Sequence, residues 1–178
     1  MLLMSNTKKI TFCGIMAAIS VVIMLTSYFP YLTYAIPAIA SLFILIPTLE
    51  LGLKWGTLTY IVSAIIVLLV GEMESKLLFV VFLGFYPIVK EAVERHLSKP
   101  LQYIIKFATF NIALVAFYYL SIKFIGIPTD EFNMGFKFGI YVLLILANIT
   151  FFVYDLALKR LINLYFLRFH TIFNKLLK

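Results

Sequence analysis

Residues 14–24, GIMAAISVVIM, form an apolar run without a single charged side chain. Gly14, Ala17 and Ala18 introduce three small side chains into this otherwise bulky stretch. Small residues on a membrane helix allow a second helix backbone to approach closely. The stretch therefore predicts a membrane helix with one face suited to contact with another helix.

The composition of the whole chain agrees with this prediction. The 178 residues are 63% hydrophobic and only 13% charged, too few charges to coat a soluble globule. The apolar residues gather in runs of about 18 or more, the length that a helix needs to cross a hydrocarbon core of about 30 Å. Alternating strand patterns are absent. We expect an all-α integral membrane protein, a compact bundle of about six transmembrane helices with a C-terminal interfacial amphipathic helix.

Charges and helix breakers divide the chain into candidate spans. They lie near residues 10–29, 34–49, 53–70, 76–89, 102–124 and 137–158. The second span is bracketed by Pro37 and Pro47 and ends at Glu50, so it is either kinked or partly re-entrant.

The distribution of lysine and arginine predicts the orientation. With the N-terminus inside, only Lys76, Lys123 and Lys137 of the 15 basic residues lie outside. Basic residues of short loops stay on the cytoplasmic side, so we expect a multi-pass protein of the cell membrane with both termini cytoplasmic. Membrane topology then explains the net charge of +7, and we expect no nucleic-acid partner.

The chain reads as a single transmembrane domain, residues 1–178, because no linker or repeat divides it. Residues 161–178, LINLYFLRFHTIFNKLLK, interleave apolar and basic side chains. This pattern predicts a helix in the membrane interface. We favour an anchoring role over partner binding, although basic amphipathic helices do both.

The sequence carries no motif of a known catalytic chemistry. It lacks a phosphate-binding glycine loop, an HExxH pair and a nucleophile elbow. Cys13 is the only cysteine, and His96 and His170 have no clustered ligands around them. We therefore expect no enzyme, no catalytic residue, no cofactor and no metal site.

Four polar residues fall within the predicted spans or near their ends. Asn111 and Asn148 need partners inside the bundle, and interhelical hydrogen bonding is the first interpretation, ahead of contact with a ligand. Lys106 and Asp155 lie near the cytoplasmic ends of the same helices, where snorkelling explains them.

The predicted outer loops contain the best candidate binding site. Their aromatic and polar side chains would supply stacking faces, hydrogen bonds and charges of both signs beside a helix bundle. An interfacial aromatic belt and simple solvated charges are the alternative for each residue alone. The candidates are Tyr28, Tyr31, Tyr34, Glu72, Glu74, Lys76, Lys123, Asp130 and Asn133, with Asn111 and Asn148 as secondary candidates.

The chain resembles the substrate-binding S components of energy-coupling factor transporters, small membrane proteins that capture vitamins and related nutrients. One part of the resemblance is a basic pair that enters a helix with small residues, KKITFCGIMAAISVVIM. The other is a proline-bearing second helix followed by a Gly-Lys-Trp-Gly-like entry to the third, YAIPAIASLFILIPTLELGLKWGTLTYIVSAII. Six spans with cytoplasmic termini also match. The motif likeness covers about residues 8–70.

The resemblance assigns a role to the small residues of the first helix. S components have an Ala-x-x-x-Ala pattern there that packs on the transmembrane coupling subunit, and its counterparts are Gly14 and Ala18, with Ala17 beside them. The glycine in place of the first alanine still permits close approach. It leaves open whether the contact is with a separate subunit or with another helix of this chain.

The resemblance implies a subunit that binds a small water-soluble molecule from outside. It would deliver that molecule with a coupling subunit and a pair of ATPases, and the lipid bilayer would be its environment. The alternative is a membrane scaffold that binds only other proteins, similar to the rod-shape-determining membrane subunit. A self-sufficient gradient-driven carrier ranks third, since the chain has neither duplicated halves nor a mid-membrane charge.

Overall fold

The computed structural model describes residues 5–29, 31–125 and 139–168, and these residues are almost entirely helical. The chain divides into two compact units, one of Lys9–Ile127 and one of Met1–Lys8 with Pro128–Lys178. The helices are α1 (Asn6–Leu25, extended by a 3-10 turn at Thr26–Tyr28), α2 (Ala35–Leu51), α3 (Leu53–Val70), α4 (Met73–Leu78), α5 (Tyr86–His96), α6 (Lys99–Leu120) and α7 (Gly139–Arg168). Two π-helical segments follow α4 and α6, at Phe79–Leu83 and Ser121–Ile125.

The prediction of an all-α protein with membrane-type helices is confirmed. Four helices are long and apolar enough to cross a membrane, whereas α2 is apolar but shorter. The four lie at Asn6–Tyr28, Leu53–Val70, Lys99–Phe124 and Tyr141–Arg168. The described residues therefore do not reach the predicted count of six spans.

The predicted span at 76–89 is not one helix. The six residues of α4 run into the π-helical segment Phe79–Leu83, and α5 starts only at Tyr86. Pro87 explains the break, because it has no N–H for a hydrogen bond to the carbonyl of Leu83. Helix α2 begins and ends within two residues of the predicted span 34–49 and continues through Pro47. One further bound differs from expectation. Helix α7 continues to Arg168, so residues 161–168 prolong α7, while residues 169–178 lie outside the described residues.

A one-residue connection joins α2 to α3. Gly52 has a φ of +99°, a conformation that glycine adopts without a steric penalty. One turn into α3, Gly56 lies against the side chain of Thr48 on α2, where a Cβ atom would come within 2.0 Å of Thr48 Oγ1. Two glycines thus give the tight turn and the close helix pair.

The core of the larger unit combines α1, α2, α3 and the first π-helical segment. Its fully apolar part is a cluster of Val21, Met24, Ile36, Ala40, Ile44, Val67 and Phe79. Buried hydroxyls are satisfied locally: Thr59 and Ser63 donate to the carbonyls four residues earlier, and Ser20 donates to the carbonyl of Ala40 at 3.0 Å. Small and hydroxylated side chains therefore bring these helices together without unpaired polar atoms.

The first π-helical segment is stabilised by a tyrosine. Its wide turn is closed by the Gly84 N–H, which donates to the carbonyl of Phe79 at 2.7 Å. The carbonyl of Val80, which Gly84 would bind in an α-helix, instead accepts a 2.7 Å hydrogen bond from the Tyr60 hydroxyl. A Cβ atom at Gly84 would lie 2.8 Å from both the Phe79 oxygen and the Tyr60 ring, so the arrangement requires glycine.

Candidate functional site

Several predicted site residues meet at one end of the larger unit, which we call the tyrosine end and define by Tyr28, Tyr34, Val70, Glu72 and Glu74. The Tyr28 hydroxyl donates to the carbonyl of Val70 at 3.0 Å, which ties the end of α1 to the end of α3. The Tyr34 hydroxyl donates to Glu74 Oε2 at 2.9 Å, which ties the start of α2 to α4. Residues 40 or more positions apart in the chain are thus neighbours here.

Glu72 has a structural role at the tyrosine end. Its carboxylate caps α4 by accepting hydrogen bonds from the N–H groups of Glu74 at 3.1 Å and Ser75 at 2.8 Å. Burial alone raises the pKa of Glu72, but these N–H donors outweigh it and lower the pKa below its usual value. Glu72 therefore carries a fixed negative charge whose oxygens are already engaged.

Tyr34 and Glu74 are better placed to meet a ligand. The Tyr34 ring is 64% exposed, and Glu74 is partly exposed beside it. Partial burial raises the pKa of the Tyr34 hydroxyl, and the hydrogen bond to Glu74 and the charges of Glu74 and Glu72 raise it further. The Tyr34 hydroxyl is therefore held in its protonated form, in which it donates to Glu74.

The remaining loop candidates lie around this end in different ways. Tyr31 is fully exposed and has a positive φ of 70°, while Lys76 is partly exposed in the last turn of α4. Lys123 is exposed in the second π-helical segment, which packs against α4. Asp130 and Asn133 lie outside the described residues.

The two membrane asparagines bind their own helices. The side-chain amide of Asn111 donates to the carbonyl of Phe107 at 2.8 Å, and that of Asn148 donates to the carbonyl of Leu144 at 2.9 Å. Neither bond needs a second helix or a ligand. Whether either residue contacts a substrate stays a prediction.

The small residues of α1 separate into two groups. Ala17 is 2% exposed and packs inside the protein, whereas Gly14 and Ala18 are exposed. A Cβ atom added to Gly14 would meet nothing within 4 Å. Gly14 and Ala18, one turn apart, therefore share an open strip of the helix surface.

A second charged group, which we call the lysine cluster, was not predicted from the sequence. It consists of Lys90, Glu94 and Lys106 on α5 and α6. Lys90 is fully buried with its Nζ 2.9 Å from Glu94 Oε1, and Lys106 Nζ hydrogen-bonds to the same oxygen. Burial alone raises the pKa of Glu94, but the hydrogen bonds and charges of the two lysines outweigh it and lower the pKa.

The lysine cluster corrects the interpretation of Lys106 as a snorkelling side chain. Lys106 is 4% exposed and joins α6 to α5, so its ammonium group is inside the protein. From the sequence, only the Lys90–Glu94 pair could have been predicted, because its residues are four apart on one helix. Asp155, also interpreted as snorkelling, is 7% exposed in α7.

Comparison of the chain with protein-family models, with curated proteins and with solved structures gives no match. The resemblance to S components therefore stays a prediction. Among the described residues of the tyrosine end, the exposed ring of Tyr34 and its hydrogen bond to the partly exposed Glu74 are the groups open to contact with a ligand.

Proposed function

We propose that this chain is an S-component-like subunit of an energy-coupling factor transporter. It captures a small vitamin-like molecule at the tyrosine end, from outside the cell. Uptake then requires a transmembrane coupling subunit and a pair of ATPases. In this proposal the chain is a multi-pass protein of the cell membrane with both termini cytoplasmic, and α2 and the α4–α5 region complete the six spans.

The observation that carries the proposal is the open strip at Gly14 and Ala18. If these small residues served only the packing of this chain, other side chains would fill the space above them. Instead a Cβ atom at Gly14 has no neighbour within 4 Å, while Ala17 on the adjacent face is buried. An unfilled strip of small residues on a membrane helix favours contact with the helix of another protein.

The tyrosine end supports the ligand-binding half of the proposal. Its Tyr34–Glu74 pair links the start of α2 to α4, and these two helices pack against each other. Binding groups placed on rigid elements lose little freedom when a ligand arrives. The pair therefore suits capture of a small solute.

The test is a set of variants that fill the strip. Gly14→Leu and Ala18→Leu are expected to hold a partner helix away from α1. We expect both variants to keep the melting temperature and the ligand content of the wild type and to lose assembly with the coupling subunit and uptake. Ala17→Leu is the matched control, since a large side chain at this buried position is expected to lower the melting temperature instead.

Two results would count against the proposal. A fall in melting temperature for Gly14→Leu with assembly intact would make the strip an internal packing surface. Stable co-purification of cell-shape or division proteins with a chain that carries no small molecule would favour the membrane scaffold, because the same strip can serve such a partner.

A further inference from the structure

The larger unit has a second end, opposite to the tyrosine end. Helix α3 ends at the tyrosine end with Val70, and α6 leads into the segment Ser121–Ile125, which packs against α4. At about 1.5 Å per residue, the first residues of α3 and α6 lie roughly 25–35 Å from that end. The starts of both helices, and the turn that joins α5 to α6, therefore lie at the opposite end of the unit.

The start of α1 is held at this second end by Trp55, in the first turn of α3. Lys9 Nζ lies 5.9 Å from the centre of the Trp55 ring. One turn further along α1, the Cys13 thiol donates to the carbonyl of Trp55 at 3.9 Å. Trp55 and Lys9 are partly exposed, and Lys54 beside them is exposed. Two lysines and a tryptophan thus share one patch of surface.

This end, which we call the basic end, carries an excess of positive charge. Two of its carboxylates are paired, because Glu94 binds two buried lysines and Glu91 binds Arg95. Lys9, Lys54 and Lys99 then outnumber the remaining Glu50. The charged side chains of this end, within the described part of the larger unit, are Lys9, Lys54, Lys90, Arg95, Lys99 and Lys106 against Glu50, Glu91 and Glu94, beside His96.

The depth of the basic end follows from α3 and α6. Both helices are long and apolar enough to cross a membrane, and when they do so their first residues lie at the level of the lipid head groups. Tryptophan is enriched at that level, and lysine side chains extend towards it. The phosphate groups of anionic lipids are the negative charges that a basic cluster meets there.

We propose that the basic end binds the head groups of anionic phospholipids, with Lys9 and Lys54 as the contacts to phosphate and Trp55 beside the upper acyl chains. The ammonium groups supply the donors for phosphate oxygens, and the charges of the α5–α6 turn add to the attraction. This surface is distinct from the tyrosine end and from the open strip at Gly14 and Ala18. It serves a transporter subunit and a membrane scaffold equally.

Trp55 provides the measurement, because it is the only tryptophan of the chain. The full-length protein is reconstituted in mixed bilayers of phosphatidylcholine and phosphatidylglycerol, in which one of the two lipids carries brominated acyl chains. Bromine quenches indole fluorescence on contact, so the ratio of quenching by the two lipids gives the preference for the anionic lipid beside Trp55. We expect a preference of about fivefold, which falls as the salt concentration rises.

Lysine variants separate a head-group contact from the general charge of the protein. The double variant Lys9→Gln/Lys54→Gln should quench equally with both lipids, and each single variant should lie between it and the wild type. Lys76→Gln is the matched control, because it removes the same charge from a partly exposed position on α4, at the other end of the unit. Its lipid preference should equal that of the wild type.

Equal quenching by the two lipids in the wild type would overturn the proposal, and so would a preference that survives in the double variant. Inorganic phosphate, added at the ionic strength of a chloride control, should leave the preference as chloride does. A specific loss with phosphate would assign the basic end to a soluble anion and would also overturn the lipid proposal. None of these results bears on the proposed transport function, which assembly and uptake test.

Discussion

The backbone of Gly56 lies directly against Thr48: a Cβ atom at Gly56 would be 2.0 Å from the Thr48 Oγ1 and 3.1 Å from its Cα. The Thr48 hydroxyl cannot swing away without losing its 2.7 Å hydrogen bond to the carbonyl of Ile44. The last turn of α2 and the first turn of α3 are therefore in backbone-level contact.

Gly56→Ala should destabilise the protein through this contact. The methyl group must push α3 away from α2, and overpacking of this kind costs about 1–3 kcal/mol. The measurement is the midpoint of thermal unfolding in detergent. Gly14→Ala is the control, because nothing lies within 4 Å of a Cβ atom there, and its midpoint should be unchanged or higher. Equal midpoints for the two variants would contradict the close packing of α2 on α3.

Tyr60→Phe should destabilise the first π-helical segment. The variant keeps the ring but leaves the Val80 carbonyl without its 2.7 Å donor, while Gly84 stays bound to Phe79. Leaving a partly buried carbonyl unpaired costs about 1 kcal/mol. Tyr119→Phe, at a tyrosine that is 66% exposed, should change the unfolding midpoint little. Hydrogen exchange should show that the loss of amide protection is concentrated at residues 79–85. A uniform loss of protection along the chain would contradict a local role of the Tyr60 hydrogen bond.

Glu94→Gln should be strongly destabilising. The change removes the negative charge that the buried Lys90 and Lys106 ammonium groups share. Breaking a buried ion pair by removing one partner costs about 3 kcal/mol or more. Glu91→Gln removes the partner of Arg95, which is 47% exposed and 2.5 Å away, and should cost at most about 1 kcal/mol. A smaller effect for Glu94→Gln than for Glu91→Gln would contradict the burial of the lysine cluster.

Glu94 also predicts an acid-dependent loss of stability. Its pKa in the folded protein lies below the ordinary value of 4.5, so the folded state favours the ionised form. The resulting stabilisation is complete above the pKa of the unfolded chain and is lost as the pH falls through the lower, folded pKa. As the pH is lowered from 4.5, the thermal unfolding midpoint of the wild type should therefore fall more steeply than that of Glu94→Gln. Parallel curves would show that Glu94 does not contribute.

Cysteine labelling should place the tyrosine end outside the cell and the end of α5 inside. In a Cys13→Ser background, Glu74→Cys is expected to react with an impermeant thiol reagent added to intact cells, and Arg95→Cys is expected to react only after the cells are opened. Both positions are at least partly exposed in the structure, so access to the reagent depends on the membrane side. The reverse pattern would place the candidate site on the cytoplasmic side.

Much of the helix layout could be predicted from apolar run length. The bounds of α3 agree with the predicted 53–70, and the first, fifth and sixth predicted spans lie within α1, α6 and α7 or within a few residues of their ends. The fourth span could not be predicted in the same way. Residues 76–89 are apolar enough, but Gly84 and Pro87 interrupt the hydrogen-bond ladder, and the Tyr60 hydroxyl stabilises the interruption from another helix.

The candidate site was predictable as a set of loop residues but not as a geometry. Tyrosines and glutamates between apolar runs indicated which residues lie near the ends of helices. Their pairing required the packing of α2 on α4, which brings Tyr34 to Glu74 and leaves Glu72 to cap the helix.

The sequence by itself determined the building units of this protein: its long apolar runs form helices, in which each backbone polar group finds its partner within the same segment. Only the tertiary structure decided which side chains are shared between helices. The Lys106 side chain, which the sequence suggested would extend to water, instead forms a buried ion pair with Glu94. Gly14 is exposed, whereas Ala17, three residues later, is buried. The physical reason is that burial and pairing depend on contacts between residues far apart in the chain, which local patterns of polarity do not encode.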